Sequence, residues 1–265
     1  MSVEAQQRGR RGAPPGGPYF EDFGVGRRIA TVGGLPPGAD VVAAPTTVLR
    51  LAADSEVLPH SLLRVLETRW QHVFPTPVGE PLEATFTVTA CRRVPAEEAG
   101  SVQWHADVRD AGGRTVQEGT ITVLLPARPG SDGSADRAER AFCTRPWGEA
   151  LARELADDPA FGSATATWDG AIGLRAGGSS VQLLIYRGEV IEVAPRTPLG
   201  ATFTLEAAEH VWTDLLTGPS NDFFRRAMSG NSFTVTGDAY EYLRMSRAVM
   251  ALIDAARRLA TGAPA

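Results

Sequence analysis

The residues able to do chemistry are few and scattered. Four histidines (His60, His72, His105, His210) and two cysteines (Cys91, Cys143) are spread over 265 residues. A metal site needs imidazoles or thiolates at close spacing, as in H-x-x-x-H, and no such spacing occurs. Cys91 is followed by Arg92 and Arg93, whose charge favours a thiolate. No histidine stands at a partner spacing to it, so a nucleophilic cysteine is not expected. His105 lies between Trp104 and Ala106 in an alternating run and is expected to face solvent. Gly24-Val25-Gly26 lacks the third glycine of a dinucleotide fingerprint and follows no strand pattern. There is no P-loop, no G-x-S-x-G and no C-x-x-C pair.

The bulk properties narrow the function classes further. Hydrophobic residues make up 43% of the chain and charged residues 22%, an ordinary globular balance able to bury real cores. The net charge is −5, and no basic stripe with interleaved aromatics occurs, which argues against nucleic acid as a partner. Two cysteines make no disulfide scaffold and suit free thiols in a reducing compartment. No apolar run approaches the roughly 20 residues of a membrane helix, and the arginine-bearing N-terminus has no apolar segment behind it. A cytoplasmic protein without a transmembrane segment is expected, and no cofactor is called for.

Two polar, Gly- and Pro-rich stretches divide the chain. Residues 1–17 read as a disordered tail, because they cannot bury enough apolar surface to offset their ordering entropy. Residues 127–140 have the Gly, Ser, Asp and Pro content of a flexible linker. Two domains, 18–126 and 141–262, follow.

In the first, Leu62, Leu63, Leu66, Trp70 and Val73 recur at helical spacing between Pro59 and Pro75, which predicts a helix from Pro59 to Phe74. The period then changes to two. Ala84, Phe86, Val88 and Ala90 alternate with Glu83, Thr85, Thr87 and Thr89. Further strands run from Ser101 to Arg109 and from Thr115 to Leu125, joined by the turn residues Asp110-Ala111-Gly112-Gly113. One helix covering one face of an antiparallel meander is the implied arrangement.

In the second, helices are predicted over Pro146–Leu155, Ala207–Leu216, Asp222–Met228 and Ala239–Leu259. Short strands are predicted over Ala171–Arg175, Val181–Tyr186, Glu189–Val193, Ala201–Leu205 and Ser232–Thr236. Strands and helices without strict alternation make an α+β protein.

The second domain resembles the sterol-carrier-protein-2 (SCP2-like) family. The resemblance is carried, in order, by Trp147 to Pro159, Ala166-Thr167-Trp168-Asp169-Gly170, Leu184 to Val190, Ala201 to Leu205, Val211 to Gly218, Met228-Ser229-Gly230 and Phe233 to Asp238. It implies an α/β sandwich with a tunnel for lipids, acyl chains or sterols, and no catalysis. Trp212, Phe223, Phe224, Met228, Phe233, Met245, Val249 and Met250 are its candidate lining. The alternative for each is plain core, while a Met- and Phe-rich surface also suits a large adaptable pocket.

The first domain more faintly resembles the MaoC-like hydratases of the hot-dog fold. The matching pieces are Tyr19 to Gly26, Phe74 to Leu82 with Pro81 where the family has Asp, and Gly113 to Gly119. The resemblance implies a hot-dog sheet wrapped on a helix, and a homodimer through that domain. Family hydratases place an Asp and a His so that together they activate water for addition to an enoyl thioester. The candidate pair is Asp54 and His60, in Ala53-Asp54-Ser55-Glu56-Val57-Leu58-Pro59-His60, one residue longer than the family spacing. A second placement sets Leu58-Pro59-His60 at the start of the central helix, which leaves the catalytic segment missing. Outside the resemblance, His60 reads as a solvent-facing residue in the first turn of a helix, and Asp54 as a turn residue.

Three functions remain. The first is binding or transfer of a hydrophobic small molecule, whether acyl thioester, sterol-like ring system or polyketide-derived lipid. The second is a hydro-lyase acting through Asp54 and His60. The third is a two-domain scaffold with neither activity.

Overall fold

The structure is a computed structural model that describes residues 18–34, 44–55, 57–75, 80–94, 97–131, 141–229 and 232–261. The predicted tail 1–17, Glu56 and residues 132–140 of the predicted linker lie outside them. The protein is mixed α+β, with two antiparallel-rich sheets, each carrying its own apolar core.

The first sheet has the order β1-β3-β4-β5-β2. Its strands are β1 (Arg28–Gly34), β2 (Arg64–His72), β3 (Pro81–Val94), β4 (Ala99–Arg109) and β5 (Thr115–Pro126). The period-two pattern explains the three long strands. Ala84, Phe86 and Val88 of β3 and Trp104, Ala106 and Val108 of β4 are buried on one face, where Phe86 pairs with Ala106 and Ala84 with Val108. A short 3-10 turn, Phe20–Asp22, and the helix α1 (Ala44–Ala53) help to cover this inner face, bringing Phe20, Phe23, Val48 and Leu51 into its core. Gly113 takes a left-handed φ of 77° in the β4–β5 turn, as such a hairpin requires.

The predicted helix from Pro59 to Phe74 is corrected. Residues 64–72 are strand β2, paired with β5 from Arg64 opposite Leu124 to His72 opposite Gln117, with a bulge between Val65 and Glu67. β2 is the last strand of its sheet, and most of its residues are exposed. An edge strand bare on both faces loses its period-two signature, so Leu62, Leu66, Trp70 and Val73 fitted a helical period by coincidence. The helix of this half is α1, upstream. β1 was not foreseen.

The second sheet has the order β10-β9-β6-β7-β8, with β6 and β9 parallel and the other pairs antiparallel. Its strands are β6 (Asp169–Ala176), β7 (Ser179–Tyr186), β8 (Glu189–Ala194), β9 (Phe203–Ala207) and β10 (Thr234–Gly237). Its helices are α2 (Arg145–Ala156), α3 (Pro159–Thr165), α4 (Glu209–Thr217), α5 (Phe223–Met228), α6 (Ala239–Arg244) and α7 (Ser246–Thr261). The core joins Trp147, Leu151 and Phe161 to Leu174, Leu183, Phe203, Trp212, Leu252 and Ile253. Each such fully buried apolar side chain stabilises by roughly 1.5–3 kcal/mol.

Two local features depart from the predicted pattern. α2 ends at Ala156, close to its predicted end, and Pro159 begins a further helix, α3, that the sequence pattern did not predict. The Asp158 carboxylate accepts from the backbone N–H groups of Ala160 and Phe161 at 3.0 and 3.1 Å, a side-chain N-cap. The predicted helix from Ala239 to Leu259 is broken at Met245 into α6 and α7. α7 keeps the predicted seam, burying Val249, Leu252, Ile253 and Ala256, whereas α6 buries no residue.

Candidate functional site

Asp54 and His60 are both exposed. Asp54 follows α1 and lies 3.8 Å from Arg50, one turn earlier. His60 stands in the turn before β2. Glu56 is outside the described residues.

The eight candidate lining residues lie in or beside the second core. Trp212, Phe223 and Val249 are fully buried, Phe233 and Met245 nearly so, and Phe224 packs partly buried against them. Phe233 is the hub of an aromatic cluster, with ring centroids 5.0 Å from Trp212 and 5.2 Å from Phe223. Phe223 and Phe224 meet at 5.4 Å. The Trp212 indole N–H donates to the Arg175 carbonyl at 2.7 Å. Met250 is half-buried, and Met228 is 86% exposed.

α6 lies across the outer end of this cluster. Its Tyr242 ring is 5.7 Å from Phe203 and 6.4 Å from Phe224. Two polar contacts are local to the helix, and one ties it to the sheet side. Asp238 caps it through the N–H groups of Tyr240 and Glu241. The indole N–H of buried Trp168 donates to Glu241 at 2.8 Å. Arg244 pairs with Glu241 at 3.0 Å. Tyr240 and Leu243 point outward, 74% and 67% exposed. α6 therefore presents exposed apolar side chains outward while Tyr242 alone packs its inner side against the core.

A second feature was missed by sequence reasoning. α4 lies on the outer, polar face of the first sheet, and His210 stacks on His105 with ring centroids 3.9 Å apart and planes 10° from parallel. The expectation that His105 faces solvent is corrected: it points away from its own core but is covered by the other half. Burial, and then the charge of His210, push His105 down to about 4, with Asp107 opposing. Thr87 and Thr89 are buried on this face too. Their period-two place among exposed-type residues was the one local hint that something covers them.

Clefts of about 690 and 650 Å³ lie along this contact. Neither is lined by Asp54, by His60 or by any of the eight candidate apolar residues. Around them Arg28 pairs with Asp214 at 2.6 Å, the Gln103 amide donates to Glu209, and Arg92 reaches the Ser179 hydroxyl at 3.2 Å. The two halves are therefore in contact across a polar surface, where a flexible joint was expected from the composition of the linker.

Neither cysteine is a nucleophile by its surroundings. Both are buried and neither is in a disulfide. Arg92 and Arg93 turn to Ser179 and Glu21, and burial with the Glu209 carboxylate pushes the Cys143 thiol up. Among the described residues no group of His, Cys, Asp and Glu is placed to hold a metal ion. No helix among them is long and apolar enough to cross a membrane.

No protein-family model matches the sequence, and no curated protein matches it. Solved structures are similar in part. A MaoC-like dehydratase from Rhodospirillum rubrum is 18% identical over 42% of this chain and 99% of its own, with a TM-score of 0.37. Sterol carrier protein 2 is 21% identical over 44% of this chain and 97% of its own, at 0.38. A protein from Mycobacterium tuberculosis with a double hotdog fold is 19% identical over 48% of this chain and 51% of its own, at 0.37.

Proposed function

We propose that this protein binds or transfers a hydrophobic small molecule, of acyl-thioester, sterol-like or polyketide-derived character, through an SCP2-like second domain. The observation that carries this reading is α6. It buries none of its six residues, and it is held to the fold by the half-buried Tyr242 ring against Phe203 and Phe224 and by the Trp168–Glu241 hydrogen bond. A helix so held opens at small cost, and an apolar chain entering beneath it meets an aromatic floor already formed. The exposed Met228, Tyr240 and Leu243 are the kind of apolar surface that marks a ligand's way in.

The first domain, in this reading, is a hot-dog sheet that pairs with a second copy. β2 is a free edge with Val65, Leu66 and the following Val73 and Phe74 exposed, and an apolar edge strand is a template for another chain. Nothing in the surroundings of Asp54 or His60 favours hydration chemistry over this.

The test is native mass spectrometry of the purified protein for co-purified lipid, followed by titration with a fluorescent fatty acid. Lipid or saturable probe binding, unchanged in His60→Ala, is expected. Absence of both would sink the carrier reading. Turnover of enoyl thioesters that disappears in His60→Ala would establish the hydro-lyase instead.

A further inference from the structure

α4 touches the first sheet along a narrow strip, and the clefts described above open along it. A third, of about 340 Å³, opens toward β2. All three are lined by both His105 and His210. The stacked pair is thus a common wall of all three.

Two stacked imidazoles make a joint that depends on charge. As neutral rings they pack face to face, and burial already disfavours a proton on His105. Two cations with centroids 3.9 Å apart repel strongly in a half-buried setting. Histidine is also the side chain whose charge ordinarily changes near neutral pH.

The other charges facing the pair are already committed or lie at its margin. On β4, Asp107 is engaged by Arg109 at 2.7 Å and by the Thr115 hydroxyl at 2.9 Å. On α4, Glu209 accepts from Gln103 and lies 3.7 Å from Arg92, while Asp214 holds Arg28. On β2, Glu67 pairs with Arg69 at 2.7 Å, and on α5 Arg226 is bound by Asp222 at 2.6 Å. Glu118 of β5 and Glu83 of β3 complete the charged lining.

We propose that the His105–His210 stack is an acid-sensitive joint: uptake of a proton there drives α4 off the first sheet while both cores stay folded. The docked state disfavours the proton at His105, holding it near 4, whereas an imidazole bared by separation takes it up near 6.5. Docking is therefore at full strength above about pH 6.5 and is lost as pH falls. Across the window down to about 4 the docked-to-separated ratio drops roughly tenfold per pH unit. The remaining joint contacts resist this weakly, because exposed ion pairs such as Arg28 with Asp214 contribute little. Val25 is the partly buried apolar residue that reaches from the first half into the second core.

The experiment is small-angle X-ray scattering of the full chain from pH 8 to 4.5, with near-ultraviolet circular dichroism on the same samples. The wild type is expected to expand below pH 6.5 while its tryptophan signals persist, and His105→Gln, which takes up no proton, is expected to stay compact. His210→Gln on α4 removes only the repelling partner of His105 and is expected to move the expansion to lower pH, which serves if the first variant does not fold. A wild-type radius constant down to pH 4.5 would overturn the proposal. So would equal expansion in the glutamine variants, or loss of the tryptophan signals together with expansion, which is global acid unfolding.

Discussion

Replacing Glu241 by alanine tests whether α6 is a lid. The Glu241 carboxylate accepts the Trp168 indole N–H at 2.8 Å, and Trp168 is almost fully buried, so the change strands a buried donor. A hydrogen bond to a charged group contributes about 1.5–3 kcal/mol net. The lower end applies here, because the Glu241 side chain keeps some contact with water. The Arg244 pair lost with it lies within α6 itself and so adds little to the latch. Opening of α6 is then eased by about 1.5 kcal/mol, roughly tenfold in population. Hydrogen exchange reads this directly. The amides of Tyr242 and Met245, which bond to the carbonyls of Asp238 and Glu241, are expected to exchange about tenfold faster. The Val249 amide in α7, bonded to the Met245 carbonyl, is expected to hold its rate, and release of a bound fluorescent fatty acid is expected to quicken with α6. Unchanged exchange at Tyr242 and Met245 would refute the latch. Equal acceleration at Val249 would mean that α6 and α7 open as one unit and that no separate lid exists.

Four further outcomes are expected. Asp158→Ala removes the cap of α3 and the partner of Arg258 at 3.0 Å, and urea unfolding should show a loss of about 2 kcal/mol. Burial alone would raise the Asp158 carboxyl, but the N–H of Phe161 and the Arg258 guanidinium outweigh it and hold it below its ordinary 3.8. Its contribution is therefore present above about pH 4 and lost as pH falls, so the stability gap between wild type and Asp158→Asn should close in acid. Gly100→Ala places a methyl 2.1 Å from the buried Phe20 ring, and thermal melts should show a cost of about 1–3 kcal/mol from overpacking. Leu66→Lys puts a charge on the bare β2 edge. Light scattering should find the variant monomeric where the wild type is a dimer, and a wild-type monomer would remove the edge-pairing proposal.

Much of the sheet architecture is local information. β3, β4 and β5 announce themselves because one face is apolar and the other polar at every second residue, and Asp110-Ala111-Gly112-Gly113 supplies the turn that the ladder needs. The seam of α7 is equally plain, since Val249, Leu252, Ile253 and Ala256 recur at helical spacing. β2 was misread for the converse reason. Its status is set by β5, some fifty residues downstream, and an edge strand bare on both faces carries no period of its own.

The candidate sites divide in the same way. The aromatic residues around Phe223, Phe233 and Tyr242 stand close enough in the chain to be noticed as a set. That α6 breaks away at Met245, and is tied down by Trp168 as well as by its Tyr242 ring, is visible only once β6 and the last helices lie together. The His105–His210 stack has no sequence signature at all. A strand position with an outward side chain is solvent-facing until another element covers it, and what covers His105 comes from the opposite half of the chain. Periodicity is written by the repeat of the local backbone and can be read from the sequence. A joint between distant segments is written by the docking of two finished surfaces, and only the tertiary structure decides it.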